Sequence, residues 1–336
     1  MKIVINLINT YYNDPALSVF TSECWQDIAG LKPDHDFIFL QGRKDPIFSA
    51  SKNVDIRVVK QAGIRWYDRW KLQQTLRRLQ ASRLVNILQT GFRISHLLYN
   101  KNEKTEGKTD RLVLFGNNGA AYLQKNKAAP LITVVKPACR MAAELSWAAA
   151  ESIKTQFTGG RSFFLFVGDI AAQHQLVELL KAFSIFKKWQ QSNMQLVIAG
   201  YSTQWTETLE EKLQQYKFRA DIVLVKNPAA GIAEQLMAAC YAAVLPVATN
   251  VFCPSLTLAV QSGKALIASD QAINRAIIPS AEWVDKNNAT EGFAKAMILL
   301  YKNETHLQWL QQQSRQVAIE LDRGQMLSGV WESIEQ

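Results

Sequence analysis

Apolar residues recur along this chain in two patterns. Short, dense runs of Val, Ile, Leu and Phe alternate with longer segments whose apolar positions repeat every three or four residues. The dense runs predict strands covered on both faces, and the spaced ones predict amphipathic helices. In the first half, runs at 2–8, 36–41, 54–60, 84–89, 111–117 and 130–136 predict strands, with helices near 15–30, 66–83 and 118–127. In the second half, strands are predicted at 163–169, 194–200, 221–227, 242–247, 264–270 and 281–285. Helices are predicted there at 174–190, 205–217, 232–241, 253–263, 289–302, 304–321 and 325–334. The helix at 174–190 places Leu176, Leu179, Leu180, Phe183 and Phe186 on one face. Strand–helix alternation of this kind predicts an α/β protein built on doubly wound parallel sheets.

Two segments break the alternation. Residues 98–111, LYNKNEKTEGKTDR, are polar and charged and predict an exposed, mobile loop. Residues 136–160 read as a connection holding one short helix, SWAAAESIKTQF, that stops at Gly159–Gly160. The expected plan is an N-terminal Rossmann-like domain over 1–145, a linker over 146–160 and a second Rossmann-like domain over 161–322. A last helix over 323–336 is expected to pack back on the first domain.

A length of 336 residues suits two domains of ordinary size, and 48% hydrophobic with 20% charged residues is a globular composition. No apolar run approaches the roughly 20 residues that span a bilayer, and the start MKIVINLINTYYNDP lacks a signal-peptide layout. Cys24, Cys139, Cys240 and Cys253 show neither CxxC nor metal spacing, which fits buried thiols in a reducing cytoplasm. Charge changes the picture more. Residues 1–150 hold 22 Lys+Arg and 12 Asp+Glu, for +10, whereas residues 151–336 hold 16 and 17, for −1. A basic first half suits an anionic membrane surface or a phosphorylated acceptor, with nucleic acid not favoured, or is simply a solvated face. Within it, Trp66, Tyr67 and Trp70 lie among Arg65, Arg69, Lys71, Arg77 and Arg78. That mixture reads either as an interfacial contact with an anionic membrane or as Trp66, Trp70 and Leu76 packed on the sheet beneath solvated cations.

The segment YAAVLPVATNVFCPSLTLAVQSGKALIASD, 241–270, carries the most specific signal. Its order of strand, loop, helix and strand resembles the sugar-donor segment of GT-B glycosyltransferases of the retaining family 4 (group 1). Phe252, Pro254, Ala259, Gly263 and the Leu-Ile-Ala-Ser ending carry the match. FFLFVGDIAAQHQLVELLKAFSIF (163–186), MQLVIAGY (194–201) and EQLMAACYAAVLPVA (234–248) resemble further blocks of the family in the same order. The resemblance spans nearly all of 155–336 and implies two Rossmann-like domains facing across a cleft. It implies transfer of a sugar, with retention, from a nucleotide-sugar donor in cell-surface polysaccharide or glycolipid synthesis. It implies no metal or other cofactor, and a cytoplasmic protein peripheral at the inner membrane face.

Carried over position by position, the resemblance places Gly168, Asp169, His174, Gly200, Tyr201, Asn227, Asn250, Phe252, Ser255, Thr257 and Leu258 at the donor site. The family sets an Arg and a Lys against the donor diphosphate, where charge-assisted contacts matter most. Asp169 and His174 stand in those places, with Gln175 for the family's Gly. Asn250 and Leu258 replace two glutamates. One lost charged contact costs about 1.5–3 kcal/mol. A second reading is therefore a catalytically inactive scaffold or binding subunit working with a partner glycosyltransferase, a third is an enzyme with a different donor such as a lipid-linked sugar-phosphate ligand, and no catalytic residue is assigned. His174 reads either as an anion contact or as a surface residue at a helix start. Ser255 and Thr257 read as hydroxyl donors at a helix N-terminus or as its cap. The glycine-rich loop usual after the first strand is replaced by residues 9–15, NTYYNDP. The chain has no GxGxxG, Walker A, HExxH or GxSxG pattern, which argues against dehydrogenase, P-loop, zinc-hydrolase and α/β-hydrolase chemistry.

Overall fold

The computed structural model describes residues 1–8, 15–41, 50–59, 65–88, 91–96, 108–115, 131–141, 146–229, 231–248 and 252–335. The chain divides into two compact units, Met1–Val135 with Gly324–Gln336, and Lys136–Arg323.

The first unit is built on β1 (Lys2–Asn6), α1 (Pro15–Leu31), β2 (Asp36–Gln41), β3 (Val54–Val58), α2 (Arg65–Leu79), β4 (Arg83–Leu88), β5 (Gly91–His96), β6 (Lys108–Phe115) and β7 (Leu131–Val135). These strands form one sheet in the order β3-β2-β1-β4-β5-β6-β7. The strands expected from the dense apolar runs are present. The sheet is not wholly parallel, however: β5, a strand the sequence reading lacks, runs antiparallel to both β4 and β6. Only residues 89–90 separate β4 from β5, a spacing that joins antiparallel strands and is far too short for a parallel crossover. Residues 108–111, expected in the polar loop, belong instead to β6, which pairs across to β5. The rest of that loop, the helix expected near 118–127 and the segment at 9–14 lie outside the described residues. One face of the sheet buries Val4, Ile38, Leu40 and Leu84 against Leu76 and Leu79 of α2.

The last helix, α11 (Arg323–Glu335), supplies most of its residues to this first unit. Ser333 Oγ donates to Thr133 Oγ1 (2.9 Å), and Arg83 Nε donates to the Ile334 carbonyl (3.2 Å). Trp331 is buried, stacked on His35 with ring centroids 4.9 Å apart.

The second unit begins with α3 (Trp147–Thr158) and β8 (Phe163–Ile170), then α4 (Leu176–Gln190), β9 (Gln195–Ser202), α5 (Thr206–Gln214) and β10 (Ile222–Lys226). It continues with α6 (Ile232–Ala239), β11 (Ala242–Leu245), α7 (Pro254–Gln261), β12 (Ala265–Ser269), α8 (Ala272–Ile277), β13 (Glu282–Val284), α9 (Ala289–Lys302) and α10 (Glu304–Ile319). The sheet order is β10-β9-β8-β11-β12-β13, parallel throughout. All eight residues of β8 are buried, as a strand covered on both faces requires. Leu176, Leu179, Leu180, Phe183 and Phe186 of α4 are all buried, confirming the expected stripe. Each contributes about 1.5–3 kcal/mol. The segment 146–160, expected as a linker, lies inside this unit. Its helix α3 packs on α6, with Ser146 Oγ accepting from the Ala149 N–H (3.2 Å) at one end and Gly159 left-handed at the other.

Both units are α/β, the first on a mixed sheet and the second on a wholly parallel one. Among the described residues no helix is long and apolar enough to cross a membrane, and no three His, Cys, Asp or Glu residues are placed to hold a metal ion.

Candidate functional site

In the second unit the chain leaves β8 toward β9 on one side and reaches β11 on the other. This reversal of strand order opens the carboxyl ends of the sheet, where open α/β sheets place their ligands. Most of the donor-site positions taken from the sequence gather at this edge. Gly168 and Asp169 lie near the end of β8, and Gly200 and Tyr201 stand opposite them in register near the end of β9. Asn227 follows β10, while Phe252 and α7 follow β11. Asn250 lies outside the described residues.

The glycines serve close backbone approach. A Cβ on Gly200 would stand 2.6 Å from Ile170 Cγ1 and 2.9 Å from the Gly168 carbonyl oxygen, so only glycine fits there. Asn227 adopts φ +48°, and its backbone N–H donates to the Gly200 carbonyl (2.8 Å). Its Oδ1 accepts from the Ser202 N–H (2.9 Å) and its Nδ2 donates to Ser202 Oγ (3.0 Å). Asn227 therefore clips the ends of β9 and β10 together, a local role suited to an Asn in the left-handed region.

His174 corrects the reading that set it on the surface. It closes a 3-10 turn over Ala172–His174 and is only 4% exposed, so it is not a surface residue. Burial pulls its imidazole down from the ordinary 6.5 to about 4, so at neutral pH it carries no charge for an anion. Its Nδ1 has no hydrogen-bond partner among the described residues. Gln175 takes φ +45° in the place of the family's Gly, a conformation that side-chain-bearing residues adopt at a cost of roughly 1–2 kcal/mol. The Ala248 N–H donates to the Gln173 carbonyl (2.8 Å), tying this turn to the chain leaving β11.

Helix α7 also starts differently from expectation. The cap position is Cys253, not Ser255 or Thr257, because Pro254 occupies the first helical position with its φ already set and no N–H to satisfy. Cys253 makes no side-chain capping bond; its thiol instead lies 2.9 Å from Ser255 Oγ. Burial pushes that thiol up to about 11, helped by the Asp169 charge and opposed by the Ser255 hydrogen bond. The thiol is therefore protonated at neutral pH, and Asp169, itself 3% exposed, stands close enough to the start of α7 to act on it. Thr257 is fully buried, with Oγ1 unpartnered among the described residues, and Leu258 and Phe252 are buried at 6% and 3% exposure. Lys226, beside Asn227, donates to Glu210 (2.7 Å).

Sequence reasoning missed Cys253 and the left-handed Gln175. The Cys-Pro pair was the available signal for the first, since a proline commonly follows a helix cap. In the first unit, Trp70 of α2 is 51% exposed, whereas Leu76 is buried. Arg77 and Arg78 are exposed and Lys71 is half-buried. The side chains of Arg65, Trp66 and Arg69 lie outside the described residues.

Residues 149–317 match the family model for glycosyl transferases group 1. No curated protein matches the sequence. Among solved structures, the chain is similar to WaaG, a glycosyltransferase involved in lipopolysaccharide biosynthesis, at 12% identity over 99% of both chains with a TM-score of 0.79. It is similar to Anabaena HepE in complex with UDP and glucose, at 12% identity over 100% of this chain and 99% of that one, with a TM-score of 0.75. It is likewise similar to sucrose-phosphate synthase from Thermosynechococcus elongatus, at 12% identity over 99% and 98% of the two chains, with a TM-score of 0.76. At such identities the structural likeness speaks for the fold. The family match reaches from α3 through most of α10, half of the sequence, and the chain belongs to the glycosyl transferases of group 1.

Proposed function

We propose that this chain transfers a sugar, with retention, from a nucleotide-sugar donor held at the carboxyl edge of the second unit's sheet. The acceptor would belong to cell-surface polysaccharide or glycolipid synthesis. The family match supports the reaction class. The observation that carries the donor's position is the start of α7: an N-terminus at the strand ends, capped by no side-chain hydrogen bond. Such an end carries about half a positive charge and favours a phosphate. The diphosphate would rest on backbone dipoles, because Asp169 brings the wrong charge and His174 none. Titration of the full chain with UDP, GDP and their sugars tests this reading. Saturable binding of one donor, followed by release of its sugar to water or acceptor, supports it. A flat titration with all of them contradicts it.

The second reading, a non-catalytic subunit beside an active glycosyltransferase, has its own observation. An acidic residue, Asp169, is buried near the cap residue of α7, in the place where the family sets a cation. A flat titration together with a stable complex with an active glycosyltransferase favours this reading.

A further inference from the structure

We infer that the first unit carries a second, unrelated anion site at the amino ends of its strands, which takes a phosphate-bearing group. A hollow of about 400 Å³ opens there, within the range of small-ligand sites, roughly 300–1,000 Å³. Lys2 opens β1 opposite Asp36 of β2, Asp55 and Arg57 come from β3, Lys52 precedes β3, and Arg78 lies in the last turn of α2. Ligands of open α/β sheets bind at the other end of the strands, so this hollow is no part of a donor or acceptor edge.

Charge decides what the hollow accepts. Four cations and two carboxylates line it, and Asp55 is already paired with Arg57 at 2.7 Å. Among the described residues no carboxylate pairs with Lys2, Lys52 or Arg78. The C-terminal end of α2 adds roughly half a negative charge, which leaves a surplus of positive charge in a concave place. A concavity lined by surplus cations strengthens its hold on an anion relative to a flat surface. Arg78 offers a planar fork and Lys52 and Lys2 offer point charges, a combination suited to the several oxygens of a phosphate. Phe37, Ile38 and Leu79 also border it. The phosphate could come from a lipid headgroup or from a soluble phosphorylated compound.

The test uses the full chain, inorganic pyrophosphate as the soluble probe, and phosphatidylcholine vesicles with and without phosphatidic acid as the lipid probe. The variant K52E/R78E changes two exposed positions, and its circular dichroism should match wild type. Saturable pyrophosphate binding that weakens at least about tenfold in the variant and falls with added salt supports a soluble ligand. Binding of phosphatidic acid vesicles alone, lost in the same variant, supports a lipid headgroup. No binding of either probe, or binding of equal strength in K52E/R78E, overturns the site. Pyrophosphate held by the second unit is displaced by UDP whereas pyrophosphate held in this hollow is not, so the binding is read with UDP in excess and the two proposals fail separately.

Discussion

His174 stands edge-on to Phe166 of β8, with ring centroids 5.5 Å apart and planes at 66°. The imidazole is thus held inside the second unit against an aromatic ring, at the position where the family sets a cation. A buried base with a lowered pKa has a defined effect on stability. The unfolded chain binds the proton near pH 6.5, and the folded one resists it until about 4. The contribution of neutral His174 is therefore complete above pH 6.5 and is lost progressively as pH falls toward 4. Between pH 8 and pH 5 the wild type should lose about 2 kcal/mol more than H174L, measured by urea unfolding at both pH values. Equal losses would mean that the imidazole is solvated. Donor affinity, for its part, should not rise between pH 8 and pH 6 through His174.

Gln175 sits in the left-handed region beside that turn. Glycine adopts φ +45° without a Cβ penalty, so Q175G should stabilise the protein by about 1 kcal/mol. The buried Gln175 Oε1, unpartnered among the described residues, is removed in the same change. A lower unfolding midpoint for Q175G would show that the side chain contributes packing that outweighs the backbone term.

Gly200 should tolerate no side chain. The clash with Ile170 and with the Gly168 carbonyl predicts that G200A costs about 1–3 kcal/mol. The same shift would displace the paired ends of β8 and β9, so donor binding should weaken with stability. Thermal unfolding together with a donor titration checks both, and an unchanged melting temperature would contradict the packing described.

Asn227 separates backbone from side-chain effects. N227A loses both the tolerance of φ +48° and the two bonds to Ser202, and should cost about 1–2 kcal/mol. N227G loses only the bonds and should cost less. Urea unfolding of the two variants ranks them, and the reverse order would assign Asn227 a different role.

The parallel strands of both units were legible because strands covered on both faces leave dense apolar runs, as in Phe163–Ile170. The helix at 146–158 was legible from Ser146 and Gly159, residues whose chemistry marks helix ends. Strand β5 was hidden because Gly91, Arg93, Ser95 and His96 dilute its apolar content, and its hairpin partner lies just before it. Helix α8 spans only six residues, too few to show a period. At the site, the missing charges were legible at Asp169 and His174, but their consequence was not. The burial of His174 depends on a 3-10 turn that sets it against Phe166, and the cap of α7 depends on Pro254 fixing where the helix begins.

The central claim is that the second unit binds a nucleotide-sugar donor at the carboxyl ends of its strands without the cationic pair of its family. Calorimetric titration of the full chain with UDP-sugars and GDP-sugars, repeated on G200A, tests it most directly. The account predicts saturable binding of one donor, weak because two charged contacts of about 1.5–3 kcal/mol each are absent, and weaker still in G200A. Flat titrations with every donor, or binding that G200A leaves untouched, would contradict it.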